Sequence, residues 1–185
     1  MAHRELILIR HGQSTANVSQ LLSGWSDVPL TQRGREQACR LRPLLSELHV
    51  DAQWTSDLLR TRQTAEHAWD RVPWTSAHHV PALRELNFGD YEGKHWNSLA
   101  PEEIEQVRAF EDFDMPGGES LEVFEKRVLG FVDALSPGSH LIFTHGGVIR
   151  LLLRGMGVTR FVGNCALVRV DWDAQTLLEE REGPS

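Results

Sequence analysis

The sequence predicts an α/β protein arranged as a three-layer α/β/α sandwich, with a mostly parallel sheet and an antiparallel edge. Three observations carry this. Residues 6–9 (Leu-Ile-Leu-Ile) and 141–143 (Leu-Ile-Phe) are unbroken apolar runs, as strands covered on both faces require. Amphipathic stretches with three- and four-residue spacing lie between them, so strands and helices alternate. Residues 166–171 and 176–180 then read as a terminal hairpin or a pair of edge strands.

The elements follow in order. The first strand stops at Arg10-His11-Gly12. Pro29-Leu30-Thr31 opens a helix carrying Ala38, Leu41, Leu45 and Leu48, with Thr31 as its N-cap. Residues 50–55 read as a second strand, and Ser56-Asp57 cap a helix running to about Trp69. Residues 73–80 suit a short strand. Residues 81–118 are irregular, punctuated by glycine and proline, with a short helix expected at 101–110. Ser120 starts a long helix with Val123, Phe124, Val128, Phe131, Val132 and Leu135 on one side, and Pro137-Gly138 ends it. The strand at 141–143 stops at Thr144-His145-Gly146-Gly147, and residues 148–156 return as a helix.

Composition narrows the function. A chain of 185 residues suits one domain, 1–185, and can bury roughly 70% of its unfolded surface without a staple. Lys plus Arg is 19 and Asp plus Glu is 26, a formal charge of −7, which disfavours nucleic acid as a partner. Cys39 and Cys165 form no CxxC pair and fit buried thiols in a reducing compartment. The four apolar residues at 6–9 are too few for a secretory core, and Arg150 and Arg154 interrupt the longest apolar candidate for a membrane span. The cytoplasm is the expected location. Nine histidines show no metal-ligand spacing, so neither metal nor cofactor is expected.

Two strand ends carry the chemistry. In open α/β sheets, ligands bind at the carboxyl ends of strands. Here both buried strands place an imidazole beside a glycine at that end, His11 next to Gly12 and His145 next to Gly146. Arg10, with Gln13, Ser14 and Asn17, makes a phosphate cradle, since guanidinium matches phosphate in bidentate fashion.

Arg10-His11-Gly12-Gln13-Ser14 with Asn17 resembles the signature of the histidine phosphatase superfamily, which includes the cofactor-dependent phosphoglycerate mutases. Further blocks resemble the family in the same order: Ser23-Gly24-Trp25-Ser26-Asp27, Pro29-Leu30-Thr31 with Gly34, Ser56-Asp57-Leu58 with Arg60, Leu83-Arg84-Glu85 with Phe88-Gly89 and Glu92-Gly93, and Thr144-His145-Gly146-Gly147. The resemblance implies a phosphoglycerate mutase-like fold. It makes His11 a nucleophile forming a phosphohistidine, Glu85 the acid and then base, and Arg60 and His145 partners of Arg10. To attack, His11 must be neutral, which Arg10 and Arg60 favour, as would His145 when protonated. Glu92 is a rival acid, and Ser23 and Gly24 are secondary candidates for the site wall. Arg35, Arg40, Arg42, Arg62 and Arg84 read as surface charges.

Other phosphatase chemistries fail. No arginine lies six positions after either cysteine, and there is no P-loop, nucleophile elbow or HExxH. Asp171-Trp172-Asp173 leaves too little chain after it for an aspartate-nucleophile fold. The expected function is hydrolysis of a small phosphomonoester, with α-ribazole phosphate or a sugar or glycerate phosphate as candidates. The irregular segment 86–118 is expected to cover the site. It is acidic and short, whereas the mutases resemble one another in a longer, more basic insertion here. The compact pattern resembles the family's α-ribazole phosphatase-like branch. A phosphoglycerate mutase is the alternative enzyme, and a phospho-ligand binding module the non-enzyme alternative. The partner is a small phosphorylated metabolite, and an edge strand leaves room for a homodimer.

Overall fold

The computed structural model describes residues 3–71, 73–75 and 78–185. Its strands are β1 (Arg4–Arg10), β2 (Ala52–Thr55), β3 (Gly138–Thr144), β4 (Leu167–Asp171) and β5 (Thr176–Arg181). They form one sheet in the order β2-β3-β1-β4-β5. β2 and β1 run parallel to β3, while β4 and β5 add two antiparallel ladders at one side. The antiparallel edge is therefore as large as the parallel part.

Seven helices are described: α1 (Thr15–Val18), α2 (Gln32–Arg40), α3 (Arg42–Ser46), α4 (Leu59–Ala68), α5 (Pro101–Ala109), α6 (Leu121–Asp133) and α7 (Gly146–Arg154). The side chains of β1 alternate between two cores. Leu6 and Leu8 pack with Phe124 and Val128 of α6 and Ile149 of α7. Ile7 and Ile9 pack with Ala38, Leu45 and Ala65 on the α2–α4 side. An unbroken apolar run is thus required because both faces of β1 are covered.

Several boundaries differ from expectation for local reasons. One helix was expected from Thr31 past Leu45. The chain instead breaks at Leu41, which ends α2 and begins α3, because Pro43 has no N–H for the helical ladder. Thr31 does cap α2, its hydroxyl accepting from Gly34 N at 3.0 Å. Ser56 and Asp57 do not begin α4. Its N-cap is Leu58, and the Leu59 amide donates to Asp27 Oδ1 instead. Asp57 pairs with Arg84, Nε and Nη2 lying 2.7 and 2.6 Å from its oxygens, so Arg84 is a bound cation and not a free surface charge. α6 ends at Asp133, and Val123 on it is exposed, not buried. Ser76 and Ala77 of the expected strand at 73–80 lie outside the described residues. At its end His79 makes one parallel bridge with Thr55. Cys165 is buried as expected and Cys39 is exposed.

Among the described residues, no helix is long and apolar enough to cross a membrane. The segment 86–118 folds as short 3-10 turns followed by α5, whose last turn closes at Phe110 in a left-handed conformation, φ 61°.

Candidate active site

Because β1 and β3 are parallel neighbours with Arg10 opposite Thr144, their ends release His11 and His145 side by side. The His11 amide donates to Thr144 O at 3.0 Å. The two imidazole rings lie 5.3 Å apart at 64°. Both are buried. His11 Nδ1 lies 2.7 Å from Gly12 O. A carbonyl can only accept, so Nδ1 carries the proton and Nε2 keeps its lone pair. Burial first, then the charges of Arg60 and Arg10, hold the His11 imidazole well below its usual pKa. His145 is held down in the same way, by burial and then Arg60, so it is a neutral neighbour and not the additional cation considered above. Its Nε2 lies 2.9 Å from Ser56 Oγ.

Arg60 projects from the first turn of α4 and is 1% exposed. Among the described residues, no carboxylate bonds it directly. Its guanidinium donates to three carbonyls, Ser26 O at 2.9 Å, Ser23 O at 3.0 Å and Gly24 O at 2.7 Å. Burial lowers it to about 10, partly offset by the charge of Glu85, so it remains a cation at neutral pH. Arg10 donates from Nη1 to Val162 O at 2.6 Å and lies 4.7 Å from the centre of the Phe161 ring.

Glu85 reaches the N-terminus of α7. Its Oε2 accepts from Gly147 N at 2.9 Å and its Oε1 from Leu86 N at 3.0 Å. A Cβ on Gly147 would stand 2.1 Å from Glu85 Oε1, so only glycine admits the carboxylate there.

Arg10, His11, Arg60 and Glu85 line one cavity of about 600 Å³, while His145, fully buried beside His11, is not part of that lining. Ser14, Asn17 and Ser23 also line it. Ser14 and Asn17 are tied into a capping box for α1, Ser14 N donating to Asn17 Oδ1 at 3.0 Å and Asn17 N to Ser14 Oγ at 3.2 Å. Gln13 does not reach the wall; its Oε1 accepts from the Thr31 hydroxyl at 3.0 Å. Gly24 stands behind the wall as an acceptor for Arg60. Gly146 lies beneath Arg10, where a Cβ would sit 3.3 Å from Nε.

Several residues support the site in roles that the sequence did not signal. Glu92, the rival acid, is fully engaged elsewhere. It accepts from five donors, the amides of Gly24, Trp25, Ser26 and Phe88 and the Ser26 hydroxyl. It thereby shapes the loop whose carbonyls hold Arg60. Glu119 and Arg127 do the same for Glu85. Arg127 pairs with Glu119 at 2.6 Å and donates to the carbonyls of Ala82, Arg84 and Glu85. Asn164 donates to His11 O at 3.0 Å and Asn17 Oδ1 at 3.2 Å. Glu92→Gln should destabilise the fold by about 2 kcal/mol, since several amides lose a charged acceptor. Urea unfolding reads this, and an unchanged midpoint would show that the loop holds without the carboxylate.

A family model described as the histidine phosphatase superfamily (branch 1) matches residues 6–181. Adenosylcobalamin/alpha-ribazole phosphatase of Salmonella typhimurium is 36% identical over 158 residues, covering 80% of this chain and 77% of that protein. A 2,3-bisphosphoglycerate-dependent phosphoglycerate mutase of Mesorhizobium japonicum is 32% identical over 170 residues, 83% of this chain and 81% of its own. The crystal structure of phosphoglycerate mutase from Thermus thermophilus superposes with a TM-score of 0.85 at 41% identity, covering 95% of this chain and 97% of that one. The chain belongs to the histidine phosphatase superfamily.

Proposed function

We propose that this chain is a phosphatase that hydrolyses a small phosphomonoester through a phosphohistidine on His11. The observation that carries this is the state of His11: neutral, proton fixed on Nδ1 by Gly12 O, and in one cavity wall with Arg10, Arg60 and Glu85. In the first step the Nε2 lone pair forms a bond to phosphorus as the ester P–O bond breaks. Glu85 in its acid form gives its proton to the leaving alkoxide. In the second step Glu85 as carboxylate takes a proton from water, whose oxygen attacks phosphorus as the P–N bond breaks. Alcohol and inorganic phosphate leave, and His11 is restored. Two in-line displacements retain configuration at phosphorus.

Arg10 and Arg60 neutralise the non-bridging oxygens as charge moves. Arg10 Nε and His145 Nδ1 are buried without a hydrogen-bond partner among the described residues, polar atoms that an oxyanion could satisfy. Ser14, Asn17 and Ser23 line the same end. Gln13, Gly24 and Gly146 act by shaping it.

The outer wall favours a substrate with an apolar body. Leu22, Phe88, Trp96, Val107 and Phe110 line it. A three-carbon acid would leave most of that surface uncovered, whereas an aromatic phosphoester such as α-ribazole phosphate would cover it. Segment 86–118 thus serves as the cap of one domain, acting in the cytoplasm on a phosphorylated metabolite. The likeness to phosphoglycerate mutases keeps isomerisation as the second reading. Incubation with 3-phosphoglycerate, with and without 2,3-bisphosphoglycerate, separates the two: phosphate release should exceed isomer formation, and the reverse would make the protein a mutase.

Glu85→Gln should slow an alkyl phosphate by about 100-fold or more and p-nitrophenyl phosphate far less, because nitrophenolate leaves without a proton. Steady-state kcat/KM on both esters measures it. Equal losses would remove Glu85 from the acid role.

A further inference from the structure

The phosphoryl transfer makes no use of Ser56, although its hydroxyl is buried against the second imidazole. Ser56 is 0% exposed and lies just past the end of β2. Its amide donates to Phe143 O at 2.9 Å, two residues before His145. Its carbonyl accepts from the hydroxyls of Thr55 at 3.0 Å and Thr61 at 2.9 Å. The backbone of Ser56 is therefore pinned to the strand that ends at His145. Its Oγ has two neighbours, His145 Nε2 at 2.9 Å and the Leu58 amide at 3.4 Å.

An amide can only donate, so the Leu58 N–H takes a lone pair of Oγ. The hydroxyl hydrogen then has one acceptor in reach among the described residues, His145 Nε2. The ring is neutral, since burial and then the charge of Arg60 hold its pKa well below the usual imidazole value, so it has one hydrogen to place. Were that hydrogen on Nε2, both neighbours of Oγ would be donors. The Ser56 hydrogen would be buried without an acceptor, and the Nδ1 lone pair without a donor, because Nδ1 has no partner among the described residues. Two buried groups would be orphaned in place of one. Nε2 therefore accepts, and Nδ1 bears the hydrogen.

We propose that Ser56 is a positioning residue that fixes His145 as the Nδ1–H tautomer, keeping a donor beside His11 for an oxygen of the transferring phosphoryl group. The use of that donor rests on the phosphatase reading, while the tautomer does not. The two rings, 5.3 Å apart, reach the same tautomer by opposite means. Gly12 O accepts from Nδ1 of His11 and leaves its Nε2 free as nucleophile. The Ser56 hydroxyl donates to Nε2 of His145 and leaves its Nδ1–H free as donor. In the other tautomer His145 would offer a lone pair, which repels an oxyanion.

Nitrogen–proton correlation spectra of the full chain, labelled at histidine, read the tautomer directly. At neutral pH His145 should show a protonated Nδ1 and an unprotonated Nε2. Ser56→Ala should mix the two tautomers and lower kcat on p-nitrophenyl phosphate by about 10- to 100-fold, with KM changed by less than about 3-fold. The loss stays below that of deleting a donor outright, because the ring still visits the Nδ1–H form. Ser56→Thr, which keeps the hydroxyl, should keep the single tautomer and hold kcat within about 3-fold. A protonated Nε2 in the unaltered protein would overturn the proposal, and that reading needs no variant to fold. So would Ser56→Ala with an unchanged tautomer or full kcat. So would Ser56→Thr losing as much kcat as Ser56→Ala while Nδ1 stays protonated, since Ser56 would then contribute packing alone. Failure of the unaltered protein to hydrolyse any phosphomonoester would overturn the phosphatase reading and with it the use of the donor, while the spectra would still decide the tautomer.

Discussion

His11→Ala should lower kcat/KM by at least about 10,000-fold, because among the described residues lining the cavity His11 is the one imidazole, with its Nε2 lone pair free to attack phosphorus. Single-turnover reaction of the unaltered protein with radiolabelled phosphoester should leave acid-labile, base-stable label on the protein, and the variant should show none. Loss of less than about 10-fold would end the phosphohistidine mechanism. The pH dependence follows from the same environment. With its pKa held well below 6.5, His11 stays a competent nucleophile to lower pH than a free imidazole does. Stability moves the other way. His11 and His145 both bind protons more weakly folded than unfolded, so their contribution is complete above about pH 6.5. It declines as pH falls below that, because the unfolded chain takes up the protons first. Thermal scans from pH 7.5 to 5.0 should show that decline.

Arg60→Ala should affect both stability and rate. Three carbonyls lose their donor in a buried setting, which should cost about 3 kcal/mol of stability. Removal of a fixed cation from the transferring phosphoryl group should cost about 100- to 1,000-fold in kcat. Denaturant unfolding and steady-state kinetics measure the two effects. Arg60→Lys should recover little, since one ammonium cannot span Ser23 O, Gly24 O and Ser26 O and still face a phosphate. Full activity in either variant would assign the phosphate charge to Arg10 alone.

The residues that could be read from sequence are those whose signal is local. Two apolar runs ending in His-Gly predict strand tips, and the parallel pairing of those strands brings the imidazoles together. Arg60 and Glu85 were legible through resemblance, and both lie in the shared wall. What stayed hidden acts across long sequence separations. Glu92 holds residues 24–26 through backbone amides, and no periodicity joins those stretches. Asn164 reaches His11 from the loop before β4. Gln13 misled because its neighbours do line the wall, while its own side chain is used by Thr31.

The pairing of β1 with β3 also bears on how activity first arises. Residues 4–10 must find residues 138–144 before the two imidazoles can meet, so the reaction centre is built from distant ends of the chain. Such long-range contacts form late and slowly. A nascent polypeptide still lacking its last quarter would carry every group donated by the first half and remain inert. In refolding experiments, recovery of turnover should therefore track the global transition, with no active species preceding it.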